Sequence, residues 1–503
     1  MKRKALSALL MVVLSLALTL SGCAGKRQGE STGSQITIGI PQDVEDSLDP
    51  HKAVAAGTEE VFFNIFEGLV KPDRDGNLNP AVASDYKVSE DKKTYTFILR
   101  EGVKFHDGSL VTVEDVRYSI ERCADTSEGA PLVAAFANIV SINTPDEKTI
   151  EIVLAESNAD FLAAMDTAII PASNETPDTV AIGTGPYKFV SHAPQESFVM
   201  KKFEEYWGEK AHIDNVILKV CANADSIVMN LNGGAIDMYA RLTSTQASQL
   251  NGQFEVLEGT MNLVQALYLN HAVEPFNNEK VRQALCYGVD KQYLLDMTSD
   301  GHGTPVGSSM FPAFGKYYMP QLADYYTKDV EKAKQLLKEA GYPNGFTFTI
   351  KVPSNYAPHV ETAQVLAEEL KAIGVTAKIE LIEWETWVSD VYSGRKFEGT
   401  VVGLDASSLT ASSMLIRFTS DSSKNFINYS NPEYDTVYAK AETSIDEEER
   451  TKAFKECQQI LTKTAANVYI QDMAEFVALN KKYAGYEFYP LYVQDYSKLY
   501  IVE

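Results

Sequence analysis

The side chains able to carry chemistry stand at spacings that no common catalytic set uses. The seven histidines, at positions 51, 106, 192, 212, 271, 302 and 359, never fall three or four residues apart, so no helix offers a metal two imidazoles on one face. There is no His-Glu-x-x-His and no Walker-type glycine loop closing on a lysine. Gly183-Thr-Gly185 and Gly301-His-Gly303 each lack the glycine that completes a dinucleotide fingerprint. Lys71-Pro-Asp-Arg-Asp-Gly76 lacks the third acidic position and the distal glutamate of a calcium loop, and reads as a turn. Cys123, Cys221, Cys286 and Cys457 contain no Cys-x-x-Cys pair for zinc or redox work. These residues predict no enzyme, no metal centre and no cofactor. Binding is the chemistry left.

The amino end sets where that binding takes place. Lys2, Arg3 and Lys4 precede an apolar run from Ala5 to Leu20 broken only by Ser7, Ser15 and Thr19. A basic start, a short apolar core and small residues before a cut site make residues 1–22 a secretory signal, too short and wrongly flanked for a lasting span. Leu20-Ser-Gly-Cys23 resembles the bacterial lipobox. That resemblance implies cleavage before Cys23 and a diacylglycerol on its sulfur, often with an acyl group on the new amine. At ~0.8 kcal/mol per buried CH₂, two or three chains hold a protein firmly where one is marginal. Residues 23–34, polar and rich in Gly and Ser, form a flexible tether. The expected location is the extracytoplasmic face of the cell membrane, reached through lipid.

The remaining chain is long enough for two or three domains of about 150–200 residues. No other run approaches the ~18 apolar residues of a membrane helix. The formal charge of −24 grows more negative once the basic signal is removed. Such a field repels phosphate backbones and anionic headgroups, which excludes nucleic acid as a partner.

Periodicity outlines an α/β protein. Residues 35–40 alternate as a strand stopped by Pro41, and 61–70 read as a short apolar helix. Residues 94–100 form a half-buried strand with Tyr95, Phe97 and Leu99 on one face. Thr112 and Asp115 make a reciprocal cap for a helix turning Val113, Val116 and Ile120 inward. Amphipathic helices follow over 329–340 and 359–373, the second closed by Gly374 and succeeded by an alternating strand, 375–381. Ser444-Ile-Asp-Glu447 reads as a capping box for a helix whose stripe is Ala453, Phe454, Cys457, Ile460 and Leu461. Cys286 and Cys457, on such stripes, are expected as small buried thiols. No internal repeat is visible.

Longer motifs carry a family resemblance. They are the run from Gly68 to Arg122, Gly183-Thr-Gly-Pro-Tyr-Lys-Phe189, Glu205-Tyr-Trp-Gly208 and Tyr268-Leu-Asn270. Pro275-Phe276, Val281-Arg-Gln-Ala-Leu285, residues 329–342, Asn425-Phe426 with Tyr429, and Asn431-Pro-Glu-Tyr-Asp435 continue them in order. In this the chain resembles the family 5 extracellular solute-binding proteins, the oligopeptide-, dipeptide- and nickel-binding components of ABC importers. The resemblance implies a two-lobed α/β fold of the periplasmic-binding-protein type II kind, with a further domain inserted in the first lobe. On that basis lobe I comprises 35–55, 182–272 and 470–503, the inserted domain 56–181, and lobe II 273–469, with crossings near 270–274 and 464–472. It also implies a monomer that closes on a small solute, expected to be an oligopeptide, and an ABC permease that reads the closed form.

The solute contacts follow less directly. The family's peptide binders hold the ligand's α-ammonium with an Asp in Trp-x-x-Asp-x-x-x-Pro. Here the stretch is Gly403-Leu-Asp-Ala-Ser-Ser-Leu-Thr410, without that Trp or Pro. Counting back from Asn425 and Tyr429 places Ser407 at the ammonium position, and counting forward from Trp384 places Ala406 there, so Asp405 is offset by one or two. The arginine that pairs a dipeptide's carboxylate is missing from Val352-Pro-Ser-Asn-Tyr356. A buried charged terminus without a partner is costly, so free dipeptides are poor ligands. Trp384 and Trp387 could line the cleft, and Arg417 could replace the missing cation. Tyr268 and Asn270 are candidates from their place where the chain leaves lobe I, while Tyr187 and His106 belong to turns. A nickel chelate, sugar or opine, or a non-transport peptide receptor, are the competing readings.

Overall fold

Apolar alternation and buried apolar runs build three larger sheets, beside two two-stranded ones, in the computed structural model, which describes residues 33–502 except 45–46, 128, 222, 407 and 445. The signal, Cys23 and Ser407 lie outside the described residues. From Gln35 on, the chain forms one compact unit. Gln35–Ile40, with Ile36 and Ile38 fully buried, sits near the middle of a seven-stranded sheet. Across that sheet the order is Phe254–Thr260, Ala474–Asn480, Met238–Leu242, Gln35–Ile40, Asn215–Val220, Ser197–Lys202 and Tyr187–Ala193. Gln35–Ile40 runs parallel to both its neighbours.

The second sheet has six strands, in the order Thr304–Pro305, Asn467–Asp472, Leu263–Leu269, Gly399–Asp405, Thr347–Pro353 and Thr376–Ile382. The last three are parallel. The helix Ala357–Leu370 supplies the crossover that parallel neighbours require, and Gly374, at φ +85°, turns the chain back into the edge strand.

A third sheet, Ala83–Val88, Thr94–Leu99, Thr149–Leu154 and Ile139–Asn143, packs on the helix Val113–Ala124. Thr112 and Asp115 cap that helix reciprocally, as their spacing requires. This inserted body has its own core, from Leu69 to Ile169, built on Tyr95, Phe97, Ile150, Ile152 and Phe161. Val61, Phe62, Ile65, Phe66, Ile170 and Ala181 pack instead into the core of the first lobe, so the insertion is narrower than 56–181.

The crossings also differ from expectation. Leu263–Leu269, expected to close lobe I, pairs with Gly399–Asp405 and Asn467–Asp472 in the second sheet. The chain therefore crosses at Met261–Asn262 and returns at Met473, where the Met261 amide donates to the Met473 carbonyl at 2.9 Å. Every residue of that strand is buried, so it has no polar face whose period could assign it to either lobe.

Two helix starts shift as well. The helix expected over 61–70 is Ala56–Phe62. Just beyond it Asn64 turns its amide to the distant Gln494 carbonyl at 2.8 Å and accepts from the Tyr496 amide at 2.9 Å. Asp446 caps Glu447–Lys463 in place of Ser444, accepting from the Glu449 amide at 2.8 Å. Cys123, Cys221, Cys286 and Cys457 are free and buried. Among the described residues no helix is long and apolar enough to cross a membrane.

Candidate functional site

Parallel strands of both large sheets end toward one seam. In the first sheet Gln35–Ile40 gives way to Pro41 and the buried Gln42. In the second, Thr347–Pro353 leads to Asn355 and Tyr356, Thr376–Ile382 to Trp384, and Gly399–Asp405 stops at Asp405 itself. The crevice outside such carboxyl ends is where open α/β sheets hold ligands. The Tyr356 hydroxyl donates to Gln42 Oε1 at 3.3 Å, so the two sets of strand ends meet. Asp405 lies in register with Leu263, two residues past the crossing, which puts it beside the hinge.

The aromatic residues divide by role. Trp384 and Trp387 stack, with ring centroids 5.1 Å apart and planes at 14°. Trp387 is only 4% exposed and donates its indole N–H to Thr400 Oγ1 at 3.0 Å, so it belongs to the second lobe's core. Trp384 is half-buried and meets the ring of Tyr356 edge-on at 5.6 Å, on the seam side. Tyr268 is fully buried and donates to the Val264 carbonyl at 2.8 Å. Asn270 is 2% exposed, donates to the carbonyls of Arg395 and Phe397 at 3.0 and 2.9 Å, and accepts from Asn428 at 2.8 Å. Both spend their polar groups inside lobe II, and the structure does not bring them to the seam.

Charges gather in the seam at positions hundreds of residues apart. Glu59 and Lys424 are exposed, and both feel the fields of Asp405 and Arg417. Burial, then the fields of Asp405 and Asp166, push the Glu59 carboxyl up to about 7, while Lys424 and Arg417 pull it down. Burial likewise pushes Asp166 up to about 7. Lys424 is lowered by burial first and by Arg417 second. Arg417, half-buried in the short turn Ile416–Phe418, reaches the Asp405 carbonyl only at 3.4 Å, and its Nε has no partner. Asn355, 6% exposed, leaves both side-chain polar atoms without partners among the described residues.

Behind this crevice lies a fixed ion pair. Arg241 adopts φ +63° where Met238–Leu242 bulges, and the bulge turns its side chain onto Glu60. Gln494 donates to the same carboxylate at 2.8 Å, and the ring of Tyr492 lies 3.7 Å below the guanidinium. Glu59, Glu60, Asn355 and Lys424 were not singled out from the sequence. Two adjacent glutamates ahead of the apolar stretch Val61-Phe-Phe are the one signal that could have pointed there.

Other features are structural. The amide of Gly183 donates to His106 Nδ1 at 3.2 Å, so Nε2 carries the proton and donates to the Gly185 carbonyl at 3.0 Å. Burial holds that imidazole down at about 4, which keeps it neutral. A Cβ on Gly183 or Gly185 would lie 2.2 or 2.6 Å from the carbonyl oxygens of Ile65 and Asn64, which explains the glycines of that motif. A depression of about 950 Å³ over Glu447–Lys463 is lined by Glu447, Lys452, Lys455 and Glu456 and shares no residue with the seam. Among the described residues no three His, Cys, Asp or Glu side chains cluster as a metal site.

The comparisons with known proteins agree with this geometry. Residues 77–426 match the model of the bacterial extracellular solute-binding proteins, family 5 Middle. Heme-binding protein A of Haemophilus influenzae is 28% identical over 449 residues, covering 82% of each chain. The glutathione-binding protein GsiB of Escherichia coli is 28% identical over 476 residues, 90% of each chain. Among solved structures, the ABC transporter-associated periplasmic binding protein DppA from Helicobacter pylori, in complex with the peptide STSA, superposes with a TM-score of 0.83. It is 26% identical, over 94% of this chain and 98% of that one. These relatives are solute-binding proteins and not enzymes. With two sheets abutting at their strand ends and a match across most of its length, the chain belongs to the bacterial extracellular solute-binding proteins, family 5, the substrate-binding proteins of ABC importers.

Proposed function

We propose that this protein captures oligopeptides in the seam and, tethered by lipid on Cys23, delivers them as a monomer to the permease of an ABC importer. The observation that carries this reading is the meeting of Gln42 and Tyr356 across the strand ends, beside side chains whose polar atoms are unspent. Asn355 offers a donor and an acceptor, Arg417 a free N–H, and Trp384 with Tyr356 an apolar ledge. A peptide in extended form presents the matching main-chain donors and acceptors at regular intervals, so it binds without dependence on its sequence. Closure of the lobes then buries it and turns occupancy into a shape that the permease reads.

Support also comes from the DppA relative, whose structure contains a peptide. A second reading, a non-peptide polar solute, is favoured by the relative named for heme at the same identity as the one named for glutathione. Mass spectrometry of small molecules that co-purify with the protein from its native host separates the two. Peptides longer than two residues are expected; a single non-peptide species would overturn the proposal.

A further inference from the structure

Beside the lobe crossings, two strands hold each other through their side chains. Gln265, just after Asn262, and Gln471, just before Met473, face each other where the pairing of Leu263–Leu269 with Asn467–Asp472 slips by one residue. Their amides are buried and lie 2.9 Å apart. The Gln265 amide also lies 2.9 Å from His359 Nδ1 and 3.1 Å from Thr362 Oγ1, whose own proton goes to the Pro358 carbonyl at 2.9 Å. On the far side of the imidazole the Gly403 amide donates to Nε2 at 3.2 Å. A backbone amide cannot turn over, so Nε2 accepts. Burial keeps the ring neutral, holding it down at about 4, and its one proton must then sit on Nδ1. That N–H needs an oxygen opposite, which makes the facing Gln265 atom Oε1. With Nε2 there instead, both ring nitrogens would accept, as only an imidazolate does, and Gln471 Oε1 would stay buried with no donor. Turning both amides over removes the two faults together. Gln265 Nε2 then spends one hydrogen on Thr362 Oγ1 and the other on Gln471 Oε1.

We infer that His359, Gln265 and Gln471 form a one-way hydrogen-bond relay from the seam to the hinge, with the two glutamines as positioning residues for lobe closure. At the seam end the Tyr356 ring lies 5.7 Å from the His359 ring, and the Tyr356 hydroxyl is the group that reaches Gln42 across the lobes. At the hinge end the outer Gln471 nitrogen and the Asp472 carbonyl oxygen border one spot, 2.9 and 3.1 Å from where a Cβ on Gly303 would lie. Gly303 holds φ +110° there, so the Gly301-His-Gly303 stretch, which completes no dinucleotide fingerprint, seats the end of the relay. Each donor in the row has its acceptor, and reversing one amide alone sets like atoms against each other in a buried place where that is costly. The slip interrupts the main-chain ladder at this point. The relay supplies the side-chain link that ties the crossing strands to Tyr356.

The test is ring-nitrogen NMR of the full-length protein with isotope-labelled histidines, the His359 signals being assigned by their absence from His359→Gln. His51, His106 and His271 donate from Nε2 to backbone carbonyls at 2.8, 3.0 and 2.8 Å and serve as references. Unlike them, His359 is expected to carry its proton on Nδ1; a proton on Nε2 would overturn the relay. Gln471→Met, a swap of similar volume, is expected to shift the His359 signals and leave those of His106 in place. Gly303→Ala, which presses on the same amide from outside, is expected to do likewise. His359 signals unmoved in both variants would overturn the coupling. Small-angle scattering of ligand-free Gln471→Met is expected to give a larger radius of gyration than wild type, because the crossing strands have lost their link to the seam. An unchanged profile, with or without a lower melting temperature, would overturn the positioning role and make the glutamines elements of the fold alone. Neither measurement uses a solute, so its outcome stands apart from whether the ligand is a peptide.

Discussion

Asp160 and Arg450 form an ion pair between the inserted domain and the Glu447–Lys463 helix of the second lobe, with the arginine side chain only 4% exposed. Ser412 donates to the same carboxylate oxygen at 2.7 Å, and Arg450 Nη1 donates to the Tyr317 hydroxyl at 3.1 Å. The inserted domain therefore clasps lobe II when the lobes are together.

Asp160→Asn leaves a buried guanidinium without its counter-charge, a loss of about 3–5 kcal/mol where such pairs are broken. The closed form bears that loss, because opening lets Arg450 reach solvent. Small-angle scattering of the ligand-free D160N protein is expected to give a larger radius of gyration than wild type. An identical profile would show that the clasp does not hold the lobes together.

The proposed tether, lipid on the Cys23 sulfur of a strongly acidic protein, predicts that Cys23→Ser releases the protein from membranes while leaving its fold intact. Fractionation of cells expressing the variant decides the matter. A signal-cleaved C23S protein that still pellets with membranes would refute the tether.

Free dipeptides are expected to bind more weakly than ~1 mM, or about −4 kcal/mol. They must place both charged termini in one closed crevice, and Val352–Tyr356 contributes no arginine there. Calorimetric titration with a dipeptide mixture, run beside longer peptides, checks this. Micromolar dipeptide affinity would mean that Asp405 and Arg417 serve both ends of so short a ligand.

The two stacked tryptophans are expected to fail differently. Trp387→Ala empties a core site and should cost ~3–5 kcal/mol of stability. Trp384→Ala, on the seam, should leave the melting temperature nearly unchanged and weaken peptide binding about tenfold, or ~1.4 kcal/mol. The reverse pattern in melting and titration would exchange their roles.

Stability is expected to fall as pH rises toward 8. Asp472, at the return crossing, accepts from the Leu263 amide at 3.1 Å through one oxygen, while the other has no partner, and burial pushes its carboxyl up to about 8. Unfolded, the group titrates near about 3.9. Between those values the folded chain holds a proton that the unfolded chain has lost, so stability declines with pH through that window. Glu59 and Asp166, at about 7, add to the same slope. His106 and His359, held at about 4 by burial, work oppositely, removing stability as pH drops below about 6.5. Melting temperature should fall between about pH 6.5 and 8, where the histidines no longer offset the carboxylates, and Asp472→Asn should flatten that alkaline limb. A variant whose curve runs parallel to the wild type would show that Asp472 ionises normally.

Local features were readable where one short segment contains its own reason. Thr112 with Asp115, the buried stripe through Cys457 and the strand from Gln35 all follow from neighbours within a few positions. The lobe crossing was not readable, since a strand buried on both faces carries no period. The seam was legible only in part. Asp405, Trp384 and Arg417 drew notice as residue types, yet Glu59, Asn355 and Lys424 matter through partners across the fold. Gln42 and Tyr356 are 314 positions apart, a distance over which no spacing rule operates.

The order of strands in the first sheet has a consequence for how the protein comes into being. Ala474–Asn480 lies between Phe254–Thr260 and Met238–Leu242, hydrogen-bonded to both. Until that late stretch has been synthesised and exported, those two strands face an empty lane with unpaired amides and carbonyls. The first lobe is begun at Gln35 and finished only after the whole second lobe has been delivered. A chain halted in transit therefore exposes an open sheet edge that invites aggregation. Full export is the condition for a closed first sheet, so an unfinished copy offers the permease no assembled lobe to dock.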